Sequence, residues 1–111
     1  MKKKYENYLE RIPVRNSKIS WTEESEVVNL EIENTGFMNR LAQKFFKKPK
    51  TSYIHLDELG SFVWKLIDGE TNIIDMGKAV EEKFGEEAYP LYERLAKYFQ
   101  ILESYSFISF K

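Results

Sequence analysis

The chain has 111 residues, 42% apolar and 32% charged, with a formal net charge of -1, a length and balance that suit one compact domain and exclude a disordered chain. With no cysteine and a single histidine, His55, it has no disulfide frame, thiolate metal or iron–sulfur site, cysteine nucleophile or multi-histidine metal centre. Near-neutral charge argues against general nucleic-acid binding, and with no run near the ~20 apolar residues of a bilayer span, and no apolar stretch behind the basic start, the expectation is a soluble cytoplasmic protein.

Residues 1–16 read as an N-terminal arm, charged and Tyr-bearing, loose or forming a short helix around Tyr5, Tyr8 and Leu9; residues 17–111 read as one domain. Ile19 and Trp21 share a face, and Val28, Leu30 and Ile32 alternate with Val27, Asn29, Glu31 and Glu33. Period-two alternation on both sides of the polar Thr22 to Glu26 predicts a β-hairpin with one buried face, ended by Asn34-Thr35-Gly36.

Between Phe37 and Lys50, Arg40, Lys44, Lys47, Lys48 and Lys50 occur without an acidic residue. Phe37, Leu41 and Phe45, with Met38, Ala42 and Phe46 beside them, recur at helical spacing, which predicts a short basic amphipathic helix stopped before Pro49. It either packs its Phe row on the hairpin and solvates its lysines, or docks an acidic partner through Arg40, Lys44, Lys47 and Lys48, or touches a membrane surface weakly.

Thr51 to Leu56 reads as a third strand, Ile54 and Leu56 on one face and Tyr53 and His55 on the other. Asp57 caps the next helix, whose Leu59, Phe62, Val63, Leu66 and Ile67 make a core-facing stripe, and Asp68-Gly69 closes it. Asn72 caps a second helix, with Asp75 three residues on; Ile73, Gly77, Val80 and Phe84 form its buried row and Gly85 stops it. The last helix begins around Glu86 to Pro90 and runs to about Ser104. Its apolar residues, from Ala88 and Leu91 through Leu95, Phe99 and Leu102 to Tyr105, cover an arc of roughly 180°, wider than the ~100° that one neighbour needs. The edge carrying Tyr98, Ile101 and Tyr105 borders a groove, hydroxyls wet and rings on apolar ligand, or packs under the basic helix or the tail. Phe107, Ile108 and Phe110 make a short closing strand.

The order describes an α+β fold of winged helix-turn-helix type. A small three-stranded antiparallel sheet is followed by three helices, with the extra basic helix between the second and third strands. Catalysis finds no support: no phosphate-binding glycine loop, zinc-protease motif or nucleophile elbow occurs. Glu23-Glu24, Glu81-Glu82 and Glu86-Glu87 are sequence neighbours that diverge on a helix, and His55 beside Asp57 is an ordinary strand histidine. No enzyme activity and no cofactor are expected. A duplex-reading role fails on the last helix, where Arg94 and Lys97 stand against Glu86, Glu87, Glu93 and Glu103, and on the acidic stretch from Glu70 to Glu93.

From His55 to Phe110 the chain resembles the pyrroloquinoline quinone biosynthesis protein D (PqqD-like) family. The resemblance rests on Leu56-Asp57, Val63-Trp64 to Asp68-Gly69, Thr71 with Ile74, Phe84-Gly85, then Leu91, Leu95 and Leu102 to Phe107-Ile108, and it covers roughly residues 17–110. It implies a RiPP recognition element, a non-catalytic winged-helix-like module that binds the leader of a ribosomally made precursor peptide and presents it to a modifying enzyme, often a radical SAM maturase. The leader would add to the third strand, at Ser52, Tyr53, Ile54, His55 and Leu56, and lie against Leu95, Tyr98, Phe99 and Leu102 of the last helix. The basic helix departs from the family's short turn between these strands; it could cover the strand edge, contact the maturase or attract an acidic leader. The alternative is a winged-helix regulator or adaptor that acts by dimerisation or weak nucleic-acid contact, and an exposed third strand could also pair with, or swap into, a second copy.

Overall fold

A computed structural model describes residues 6–33 and 51–111. The basic segment, with Arg40, Lys44, Lys47 and Lys48, lies outside the described residues. The elements run α1 (Glu6–Leu9), β1 (Pro13–Arg15), β2 (Ser20–Glu24), β3 (Val27–Glu33), β4 (Thr51–His55), α2 (Glu58–Leu66), α3 (Ile73–Phe84), a 3-10 turn (Gly85–Ala88), α4 (Leu91–Ser104) and β5 (Ile108–Phe110). This is an α+β arrangement with two small antiparallel sheets, β2-β3-β4 and β1-β5. No helix among the described residues is long and apolar enough to cross a membrane.

The hairpin has its expected inner face. Trp21 pairs with Leu30 and Glu23 with Val28, and Val28 and Leu30 are completely buried. Its turn is tighter than the polar run suggests: β2 continues to Glu24, and only Ser25 and Glu26 turn, both at positive φ. Such a two-residue turn matches the right-handed twist of paired strands, although neither residue is the Gly or Asn that usually fills it.

Local side-chain chemistry sets the helix boundaries. The Asp57 carboxylate accepts the Gly60 N–H at 2.7 Å and starts α2, and Asn72 accepts the Asp75 N–H at 2.8 Å to start α3. Between them Gly69, at φ +77, supplies the left-handed turn. Asp68 there accepts the Glu70 and Thr71 N–H groups, both at 2.9 Å, and these bonds with the Thr71 hydroxyl hold its carboxyl below the usual range. The last helix starts later than expected, at Leu91, because Gly85–Ala88 forms its own turn and Tyr89-Pro90, a cis pair, separates the two.

The stripe of α2 buries Val63 and Ile67, as its spacing predicts, but Trp64 is completely buried as well. The reason is tertiary. Arg15 of β1 lies with its guanidinium 5.9 Å from the Trp64 ring centre and 5.1 Å from that of Trp21, so the second sheet closes a flank that a helix packed on one layer would leave open. Residues 6–16 are accordingly part of the packed structure. Leu9 and Pro13 are buried, Pro13 pairs with Phe110 and Arg15 with Ile108, and Arg11 stacks 4.1 Å from the Phe110 ring centre. Tyr8 meets the same ring edge-on at 5.4 Å. The short helix read at Tyr8 and Leu9 is α1; the strand after it is legible only with its partner, which lies at the far end of the sequence.

Candidate functional site

β4 has β3 on one side and, among the described residues, no strand on the other. The ladder's phase follows from one bond, Leu56 N–H to the Val28 carbonyl at 2.9 Å. In an antiparallel pair the bonded positions alternate, so Ser52, Ile54 and Leu56 turn their backbone groups to β3, and Tyr53 and His55 turn theirs to the open edge. Tyr53 is 62% exposed, and Ile54 is 36% exposed although it pairs with the buried Leu30. α2 packs on β3, while Ile54 on the neighbouring strand is left part exposed.

The sheet's other edge differs chemically. β2 carries Glu23 and Glu24, and Glu23 is ion-paired with Lys65 of α2 at 2.6 Å; charges of this kind discourage a further strand. Thr51–His55 carries neither a carboxylate nor an amine. On its outer face, the His55 imidazole donates from Nδ1 to the Asn29 side-chain oxygen, tying the end of β4 to β3.

On the inner side the strand is anchored by Ser61, which is completely buried. Its hydroxyl accepts the Val28 N–H at 2.8 Å and donates to the Leu56 carbonyl at 3.3 Å. Tyr98 of α4 adds a second tie, its hydroxyl donating to the Gly60 carbonyl at 2.8 Å. A β-carbon at Gly60 would stand 3.3 Å from Tyr98 Cε1, 3.7 Å from Leu56 Cβ and 2.9 Å from Asp57 Oδ1, so glycine lets the helix, the ring and the strand end meet. Burial, and then the Asp57 carboxylate, push the Tyr98 phenol well above the ordinary tyrosine range.

The wide apolar arc of α4 therefore divides. Leu95, Phe99 and Leu102 are 2%, 0% and 4% exposed and belong to the core; Tyr98 is hydrogen-bonded rather than wet; Ile101 and Tyr105 are the exposed edge. Of the expected helix wall, Tyr98 and Leu95 also reach a cleft of about 120 Å³ between α2 and α4, together with Leu59, Val63 and Leu91. Asp57 and Arg94 give this cleft its polar groups. Asp57, two residues past the end of β4, lines it. The structure thus brings Leu56, Asp57 and Tyr98 together through Gly60, keeps Ser52 to His55 on the strand, and withdraws Phe99 and Leu102 into the core. Ser61 and Arg94 are the residues that sequence reasoning passed over. A lone hydroxyl in the apolar run of α2 was the available signal for the first.

The family model for coenzyme PQQ synthesis protein D (PqqD) matches residues 26–108. No curated protein and no solved structure matches the chain. The matched span takes in β3, β4 and all three long helices and leaves β1 and β2 outside. The chain belongs to the PqqD family.

Proposed function

From that membership we propose that the protein is a non-catalytic partner in natural-product biosynthesis, which binds the leader of a ribosomally made precursor peptide and presents it to a modifying enzyme such as a radical SAM maturase. The observation that carries the reading is the edge of β4, free of carboxylates and amines and without a further strand among the described residues, at which Tyr53 and His55 offer backbone donors and acceptors outward. An extended leader segment bonded to them continues the sheet, and its alternate side chains meet Ile54 on one face and Tyr53 on the other. Beyond Leu56 the α2–α4 cleft, floored by Leu59, Val63 and Leu95, suits one further apolar side chain. On this reading the sheet and three helices are a winged-helix-like peptide-binding module. Arg40, Lys44, Lys47 and Lys48 are suited to an acidic surface on the leader or the enzyme.

The test is titration of the full chain with the leader of a precursor peptide encoded beside it. Saturable binding that Ile54→Asp abolishes is the expected result. Absence of binding to every neighbouring leader, with salt-sensitive binding to duplex DNA instead, would overturn the reading in favour of a regulator.

A further inference from the structure

A second exposed aromatic feature lies where α3 passes into α4. Tyr89, 52% exposed, donates its hydroxyl to Glu81 Oε2 at 2.6 Å. With Pro90, Leu91 and Tyr92 these two residues line an open groove of about 580 Å³. Tyr92 is fixed beneath it by a 3.2 Å hydrogen bond from its hydroxyl to the Ile74 carbonyl, and it can cross α3 there because position 77 is glycine: a β-carbon would stand 2.5 Å from Tyr92 Cε1.

The surroundings are mainly acidic; Arg94, next in sequence to Glu93, is the nearby exception, and its guanidinium is engaged by the Glu87 carbonyl at 2.8 Å. From Asp68 to Glu93 the sequence has Lys78 and Lys83 as its only cations. Lys78 is paired with Asp75 at 3.4 Å, and Lys83 lies 3.9 Å from Glu26 and over the Phe62 ring. Neither lines the groove. Glu81, Glu86, Glu87 and Glu93 are all exposed; the hydrogen bond to Glu81 raises the Tyr89 pKa, and burial, then the Glu81 charge, raises that of Tyr92, with Lys78 opposing.

We propose that this groove docks a cationic segment of a protein partner, a lysine or arginine side chain lying on the Tyr89 ring and pairing with the Glu81 carboxylate. One Glu81 oxygen is engaged by Tyr89, and a carboxylate has acceptor sites for further donors. Tyr89 supplies a π-face for the cation, while Pro90 and Leu91 take an apolar neighbour. The sign of the charge disfavours nucleic acid and anionic membrane. The site uses no residue of β4 and shares only Leu91 with the α2–α4 cleft, so Glu81 and Tyr89 are the positions that tell it apart from leader binding.

The experiment is an NMR titration of the isotopically labelled full chain with a short synthetic peptide of alternating lysine and leucine, and with the same peptide carrying glutamate for lysine. The lysine peptide should saturate, shift the amides of Glu81, Tyr89, Leu91 and Tyr92, and weaken as salt is added. Glu81→Gln should raise its Kd on the order of tenfold, the worth of one charged hydrogen bond. Tyr89→Ser should raise it by about two- to fivefold, whereas Glu87→Gln, outside the groove, should leave it within twofold. All three side chains are exposed, so the variants keep the fold. The proposal is overturned by no binding, by shifts spread over the acidic surface, by an effect of Glu87→Gln equal to that of Glu81→Gln, or by sedimentation showing a second copy of the chain in the groove.

Discussion

Ser61 completes the β3–β4 ladder for Val28. At the last position of the pairing the Leu56 N–H reaches the Val28 carbonyl directly, at 2.9 Å, but the return bond is made by the Ser61 hydroxyl, 2.8 Å from the Val28 nitrogen and 3.3 Å from the Leu56 carbonyl. One side chain of α2 thereby joins two strands and holds the end of β4 where the helix begins.

Ser61→Ala removes that bridge and leaves a buried N–H and carbonyl short of partners. An unsatisfied buried polar group costs about 1–3 kcal/mol, and urea unfolding should show a loss of that size. Because the strand end loses its tie, hydrogen exchange at Leu56 should quicken by more than at α3. A loss under about 0.5 kcal/mol, within the range of ordinary surface substitutions, would show that the bridge is dispensable.

Two proline substitutions separate the open edge from the closed one. The Tyr53 N–H faces outward, so Tyr53→Pro takes no bond from β3, and proline is tolerated on an edge strand. Thermal stability should hold while leader binding is lost. Ile54→Pro removes a ladder bond to Leu30 and should unfold β4. Equal stability of the two variants would mean that the ladder phase is other than described.

The tyrosines give the protein an alkaline limit. Burial, with the Glu103 charge added and Arg11 opposing, pushes the Tyr8 phenol up to about 12 from an ordinary value of 10.0, and Tyr98 is shifted in the same direction. The folded state favours the neutral phenols, so their contribution is fully present below pH 10, declines above it, and for Tyr8 is lost as pH passes about 12. Ultraviolet titration of the protein and of Tyr8→Phe should show by difference a phenol ionising near pH 12 rather than 10.0. In Tyr8→Phe the fall of stability above pH 10 should be shallower.

Gly77→Ala should drive Tyr92 off α3, since its β-carbon would stand 2.5 Å from the ring. Overpacking of this kind costs about 1–3 kcal/mol. In a Tyr92→Ser background the same change should cost little or become favourable, because alanine suits a helix better than glycine. A double-mutant cycle measures the difference. Coupling indistinguishable from zero would mean that the two sites are independent.

Features that depend on neighbours in sequence were legible in advance. Asp57 and Asn72 cap their helices, Gly69 turns the chain, Val28 and Leu30 alternate into the core, and Ile54 falls on β4, which is the outer strand among the described residues. The PqqD resemblance, read from the order of those local signals, agrees with the family match over residues 26–108. The helix wall of the site was less legible. A helical arc identifies Leu95, Tyr98, Phe99 and Leu102 as apolar-facing, but periodicity alone does not say whether an apolar residue meets the core or a ligand.

The sequence by itself determined the β2–β3 hairpin, the strand β4, the three long helices, the caps at Asp57 and Asn72 and the absence of thiol chemistry, because each follows from residue type or from bonds made within one turn or one hairpin. Tertiary structure alone decided which sheet edge has no further strand among the described residues and that Pro13–Arg15 pairs with Ile108–Phe110, setting Arg15 beside Trp64. It also decided that the Tyr98 and Ser61 hydroxyls face inward. Those outcomes are set by which distant segments compete to cover the same surface. No local period records that competition, and the charge balance, neutral for the whole chain, conceals an acidic groove at Glu81 and Tyr89 that exists only once α3 and α4 meet.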